Sequence, residues 1–585
     1  MRYFRFLLVL LGIGCVSLHA FTPRETFRRP IALAWTEAGL LAVANRDSGS
    51  VSLINPSTRQ VVGESVVGKR LASIASLPNG PFLVSVDEQA NELLLLESVD
   101  AKVRVRARAA TPHSPVDVKV VGDGSFVAVA SLWARRVTLF SIQLDSPELR
   151  QVRVLDLPFP PRFQWVDPSS RKLVLTDAFS DQVAAVELPG LRLVSTRSLT
   201  GHNLGGIAPS PNGKELLFSL QSLNPHVPAT RSRVFWGSMM QNGLVAVTLA
   251  DLFDSRYPAG ASFPRMRQYP VGRNGQGAGE PGPMLFARDG SFLLGIRGTG
   301  EIAMGKNLNA DWKRIRVGER PIAGIFDANE KHVYFADLFG DAIRVIDVEK
   351  GTFSGSLSLG PTPKPGLVQM GEALFHNSRL SLDGWYSCNS CHTSGHTSGM
   401  LNDNFDDFSF GTPKRIPSLL GTAETGPWTW NGLQGSLTLQ VRQSLATTLL
   451  NGERKHGHAT HLDQEALVSY LFTLPLPPPL SEARMEPPND LVTKGKLLFS
   501  KLGCNECHRQ PLLTSPDEYD VGLHDEAGVK EFNPPSLHGV SQRDRFFHDG
   551  SARSFTEVLD RFGHPDGGNL TRKQLDQLIA YLRTL

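Results

Sequence analysis

The chain has 585 residues, 41% of them hydrophobic and 20% charged, with a formal net charge of +3. A single core rarely grows past about 250–300 residues, so several domains are expected. The near balance of charge excludes the basic footprint of a nucleic-acid binder and a purely charge-driven attachment to membranes.

Residues 1–20 have the pattern of a signal peptide: Arg2 and Arg5 are followed by an apolar run from Phe6 to Val16 and by Leu18-His19-Ala20 as a cleavage site. The run is shorter than the about 20 residues that a bilayer span takes. The expectation is a periplasmic or otherwise exported protein without a transmembrane span. Acylation of Cys15 is the alternative, although Gly12 stands where such a site usually has a branched apolar residue.

From 28 to 360 the sequence consists of short alternating apolar stretches separated by Gly, Pro, Asn and Asp turns. Leu41-Ala42-Val43-Ala44-Asn45, Leu173-Val174-Leu175-Thr176-Asp177 and Val333-Tyr334-Phe335-Ala336-Asp337 are copies of one phrase, with further copies ending at Asp87, Ser131, Leu220 and Arg297. Seven copies spaced by roughly 40–46 residues predict a seven-bladed β-propeller. One wide step places an insertion at about 221–280, which could cap a neighbouring region, face a partner or be a plain surface excursion. Asp87, Asp177 and Asp337 are expected to cap blade turns rather than bind metal. The phrases resemble the Tyr-Val-Thr-Asn type of bacterial propeller.

Past the proline-rich stretch 361–365 the composition turns helical, and a second repeat begins. Gly371-Glu372-Ala373-Leu374-Phe375 pairs with Gly495-Lys496-Leu497-Leu498-Phe499, and Pro417-Ser418-Leu419 with Pro535-Ser536-Leu537. Trp430-Asn431-Gly432 pairs with His548-Asp549-Gly550, and helices through Leu467–Leu474 and Leu578–Leu585 close the two copies. Each copy contains a C-x-x-C-H run: Cys388, Cys391 and His392 in the first, Cys504, Cys507 and His508 in the second. Such a run attaches a c-type haem through two thioethers and offers its histidine to the iron. A thioredoxin-like pair or a zinc site would explain neither histidine. Four of the five cysteines are thereby used. The expected fold is multidomain: an all-β seven-bladed propeller, then two all-α cytochrome c-like domains at 366–480 and 487–585, with two covalently bound haems.

These phrases in this order resemble the bacterial di-haem cytochrome c peroxidases and the related methylamine-utilisation enzyme that oxidises protein tryptophans. The resemblance covers about residues 366–585. It implies that hydrogen peroxide reacts at the first haem. Electrons would enter through the second, from a small cytochrome c, a cupredoxin or a protein side chain. It matches Gln440 to a peroxide-handling glutamine, Glu453 loosely to a glutamate, and Trp430 to a position between the haems. Phe562 stands where the family has its second-haem ligand and cannot bind iron, so His564 becomes the candidate, with Met485 and Met400 as further options. An offset of 118 residues makes Ala446 the first-domain counterpart of His564 and Ser444 that of Phe562, which predicts an open first haem. Arg415 stands where the family's inter-haem calcium site has an asparagine. The cluster His456, His458 and His461 is expected to be a solvated loop. The alternative function is a di-haem electron carrier whose propeller docks a partner.

Overall fold

The structure is a computed structural model and describes residues 26–78, 80–309, 312–451, 458–487, 489–564 and 570–585. The predicted signal peptide and Cys15 lie outside the described residues.

Seven consecutive sheets, each built on a four-stranded antiparallel meander, follow one another from Pro30 to Ser358. The repeated phrase is the second strand of every blade, as in Leu41–Asn45, Phe82–Asp87, Lys172–Asp177 and His332–Asp337. These strands are buried on both faces because neighbouring blades cover them, which explains their continuous rather than alternating apolar character. The ring closes without a shared strand. Leu41, Val43 and Ile54 of the first blade pack against Tyr334, Ile343 and Val345 of the last. The backbone N–H groups of Arg28 and Arg29 donate to Asp341 Oδ1 at 3.0 and 2.6 Å.

The blade-turn aspartates act as caps. Asp87 accepts from the backbone N–H of Lys69, Arg70, Gln89 and Ala90, and Asp177 from Phe179 and Ser180.

The insertion expected at 221–280 is not one segment. Met240–Thr248 and Arg267–Pro270 inside it are the regular third and fourth strands of the fifth blade. The extra residues form three excursions around them. In the first, Ala229, Val234 and Met239 enter the core of the first helical domain beside Leu380, Trp385 and Tyr386. Of the three roles left open for the insertion, this excursion caps a neighbour.

In each helical domain the opening helix crosses the closing one at a glycine. Leu367–Phe375 packs on His461–Leu471, and Asp490–Lys501 on Arg572–Leu582. A Cβ on Gly371 would lie 1.9 Å from the Ala466 carbonyl oxygen, and one on Gly495 2.0 Å from that of Gln577. Only glycine permits so close a crossing. Each domain also carries a short two-stranded ladder, Leu401–Asn402 with Lys414–Arg415 and Tyr519–Asp520 with Glu531–Phe532.

The first helical domain seats on the fifth to seventh blades of the propeller. Its Trp385 indole lies against Gly237 and Gly272, where no side chain would fit, and the Trp385 carbonyl accepts from Asn242 Nδ2 at 2.9 Å. Glu280, fully buried at the start of the sixth blade, pairs with Arg320 at 2.8 Å, accepts from Asn389 Nδ2 at 2.8 Å and is bonded to the Ser387 hydroxyl. The second domain touches the third blade through Gln542, whose Nε2 donates to the Trp133 carbonyl at 3.0 Å. Arg484 of the linker reaches the Ala134 carbonyl at 2.9 Å.

Candidate haem sites

A single helical turn, Cys388–Cys391, opens directly into His392. All three residues line one cavity of about 300 Å³ with mostly apolar walls that include Phe375, Leu437, Leu445, Leu449 and Leu471. His392 Nδ1–H donates to the Pro417 carbonyl at 2.9 Å. That bond fixes the tautomer and leaves the Nε2 lone pair for a metal. Burial pushes His392 down to about 4, so the imidazole is neutral, as an iron ligand must be. Burial likewise pushes the Cys388 and Cys391 thiols up to about 12.

The second domain repeats the pattern. Cys504–Cys507 is again one turn, and Cys504, Cys507 and His508 line a cavity of about 370 Å³ with Phe499, Leu559, Leu578 and Leu582. His508 Nδ1–H donates to the Leu513 carbonyl at 3.2 Å, and burial lowers it to about 4. Apolar walls, paired cysteines and a neutral imidazole with one nitrogen committed make up the donor set of a c-type haem, and both cavities fit it.

The two cavities share walls. Trp430, Arg415, Asn533, Pro535 and Arg543 line both. Trp430 Nε1–H donates to the Arg415 carbonyl at 2.7 Å, and the Arg415 guanidinium stacks on the Trp430 ring at 4.9 Å. Arg415 is buried and is pushed down to about 9, chiefly by burial and then by Arg543. A loss of water strengthens its attraction to any anionic group placed there. His396 lies in neither cavity. It is buried against Trp133 and Phe179, with Nε2 donating to the Gln542 carbonyl at 3.2 Å.

On the remaining walls the cavities differ. His564 lines the second cavity together with His508. The other candidate ligands do not: Met485 is 71% exposed and Met400 packs on the first-domain core. In the first cavity Gln440 is in the wall, its Nε2 donating to Ser444 Oγ at 3.0 Å and to Asp406 Oδ2 at 3.2 Å, while its buried Oε1 has no protein partner. Asp406 is a carboxylate in this wall that the sequence did not single out. It sits in the short Asn404-Phe405-Asp406-Asp407 turn, whose composition signals only a loop. One further imidazole, His538, also reaches this wall, with Nε2–H bonded to the Pro511 carbonyl at 2.8 Å.

Glu453 and His456 lie outside the described residues. His458 bonds the Asn451 carbonyl and His461 pairs with Glu465 at 3.3 Å. Among the described residues no three His, Cys, Asp or Glu side chains are grouped to hold a metal ion.

The counterpart of His564 is not Ala446. Leu437–Gln443 continues into the π-helical turn Ser444–Thr448, whereas in the second domain the π turn Glu557–Arg561 comes five residues earlier relative to the Gly432 and Gly550 anchors. The two turns end alike: Leu449 N–H bonds Ser444 O and Phe562 N–H bonds Glu557 O, each at 2.9 Å. Leu450 and Gly563 then share a positive φ. Matched this way, His564 corresponds to Asn451, whose side chain is held by Leu380 O and Ala459 N–H. Ala446 is exposed, and Leu449, in the place of Phe562, contributes an apolar wall. The longer first-domain helix defeated a constant offset.

Residues 365–485 match the family model of the di-haem cytochrome c peroxidases. The helical part carries a domain of that family. The chain is 24% identical to hydrazine synthase subunit gamma of Kuenenia stuttgartiensis over 277 residues, which is 38% of this chain and 78% of that protein. It is 20% identical to cytochrome c551 peroxidase of Nitrosomonas europaea over 266 residues, 37% of this chain and 79% of the relative. With methylamine utilization protein MauG of Methylorubrum extorquens it shares 26% over 292 residues, 38% and 81% of the two chains. Among solved structures, Kuenenia stuttgartiensis hydrazine synthase superposes with a TM-score of 0.48 at 18% identity, over 57% of this chain and 99% of that one. Saccharomyces cerevisiae Sqt1 superposes at 0.42 and 11% identity, over 57% and 86%. No helix among the described residues is long and apolar enough to cross a membrane.

Proposed function

We propose that the protein is an exported di-haem oxidoreductase that reduces hydrogen peroxide at the first site. Electrons pass through the second site from a small cytochrome c, a cupredoxin or a protein side chain. Cys388 and Cys391 would hold one haem with His392 on its iron, and Cys504 and Cys507 the other with His508. When bound, the haems supply the redox centre for peroxide and the route by which electrons reach it.

The observation that carries the reading is the inequality of the two cavities. The second has a histidine in its wall, His564, which would be a further protein ligand to the iron of a haem held there by His508. The first has Gln440, Ser444 and Asp406 in its wall, and the residue matching His564 is Asn451, tied to the backbone. Gln440 stands in the first cavity wall and donates through Nε2 to Ser444 and Asp406. Trp430 lies in the wall common to both sites, a suitable relay position.

The electron paramagnetic resonance spectrum of the diferric protein tests this division. One high-spin and one low-spin signal, with peroxide-dependent oxidation of a reduced cytochrome or cupredoxin, is the expected result. Two low-spin signals and no response to peroxide would overturn it. That outcome belongs to the second reading, an electron carrier, for which His538 in the first cavity wall is the favouring observation.

A further inference from the structure

We infer that Asp406 is the acid–base residue of the first site, in the role that the sequence had assigned loosely to Glu453. The inference rests on the peroxidase reading above and deepens it.

The Asp406 carboxylate is half-buried in the wall of the cavity that also contains His392. It accepts from Thr447 Oγ1 at 2.9 Å, Ser444 Oγ at 3.3 Å, Gln440 Nε2 at 3.2 Å and Asn404 Nδ2 at 3.2 Å. The hydroxyls come from the π turn Ser444–Thr448, where the widened backbone sets Ser444 and Thr447 beside one carboxylate. These partners are uncharged. The charged neighbours on its own loop and strand, Asp407 and Lys414, pair with each other at 2.6 Å. Burial accordingly holds its carboxyl above the ordinary carboxylate range, against the opposing hydrogen bonds from Thr447, Ser444 and Gln440. A carboxyl tuned upward by burial is suited to take and return a proton near neutral pH.

Asp406 takes the proton from the peroxide oxygen nearer the first site and returns it to the far oxygen. The O–O bond then breaks and the far oxygen leaves as water. Two electrons from the reduced redox protein and two protons from solvent convert the near oxygen into a second water. Gln440, bonded to Asp406 through Nε2, fixes the orientation of its carboxylate.

Asp406→Asn, Asp406→Glu and Gln440→Leu are to be compared with the wild type as full-length, haem-loaded proteins. Stopped-flow absorbance reads the reaction with peroxide, and cyanide association serves as a second probe, since hydrogen cyanide must also lose a proton to bind. The expected result for Asp406→Asn is a slowing of the peroxide step by about 10²–10³-fold, a slowing of cyanide association of about tenfold or more, and unchanged spectra of the second haem. Asp406→Glu should recover part of both rates, and Gln440→Leu should lose less than Asp406→Asn. If Asp406→Asn reacts with both probes within threefold of wild type, the assignment to Asp406 is overturned. If the wild type itself ignores peroxide, the peroxidase reading fails instead. Should Asp406→Asn not fold, a Gln440→Leu protein with a wild-type peroxide rate overturns the arrangement independently.

Discussion

Two side chains, His564 in the haem half and Asp177 in the propeller, illustrate how surroundings set chemistry. His564 shares its cavity with His508. Removing it as His564→Ala should open the second haem to cyanide or carbon monoxide, visible as a new ligand-bound absorption band, and should leave the first haem's spectrum alone. Asp177 shows the same physics in the propeller. Burial pushes its carboxyl up to about 7, despite hydrogen bonds from the Phe179 and Ser180 amides. The unfolded chain titrates this group near 3.8. A folded value above the unfolded one gives a contribution to stability that is complete below about 4 and lost as pH rises to about 7. Asp177→Asn keeps an acceptor for both amides and removes the titration. The wild type should therefore lose stability between pH 4.5 and 7.5 relative to Asp177→Asn, measured as the difference in denaturation midpoints.

At the scale of elements, the duplicated helix crossing is the most demanding feature. Gly371 and Gly495 each face a carbonyl oxygen of the partner helix at a distance no methyl group tolerates. Gly371→Ala and Gly495→Ala should each cost about 3 kcal/mol through forced separation of the helices. Separate thermal transitions of the two helical domains would identify which copy is affected. The closing helices start identically, with Thr460 capped by Asp463 and Thr571 by Gln574 as reciprocal boxes. What differs between the copies is the helix before them, longer by five residues in the first domain. That difference puts Asn451, which does not line the first cavity, in the place of His564 and brings Gln440, Ser444 and Thr447 around Asp406.

For the whole molecule, the propeller acts as a seat for the first haem domain. Glu280 is its anchor. Burial works to raise this carboxyl, but Arg320 and Arg297 outweigh it and hold it below the ordinary range, charged and paired. Glu280→Gln leaves the Arg320 guanidinium buried without its counter-charge, at a cost of about 3–5 kcal/mol. The expected readout is faster proteolysis in the 361–365 linker and a lower melting temperature. Equal proteolysis rates would show that the apolar seat of Trp385 on Gly237 and Gly272 suffices to hold the domains together.

Much of this was written in the linear sequence, wherever the chemistry was local or periodic. Asn45, Asp87, Ser131, Asp177 and Asp337 end the second strands of their blades because a repeat must present the same turn at the same step. Cys388, Cys391 and His392 reach one cavity because a single turn of helix brings them together, and the same holds for Cys504, Cys507 and His508. Tertiary structure alone decided the rest. Asp406 lies in a turn of ordinary composition and gains its environment only from a helix that begins some thirty residues later. The match of His564 with Asn451 depends on where two π turns end, which no fixed offset can express. The insertion divided because two of its stretches were needed to finish a blade, leaving the remainder to pack on the haem domain. Sequence spacing fixes what neighbours along the chain can do together; contacts between distant segments are set by the burial that their packing achieves.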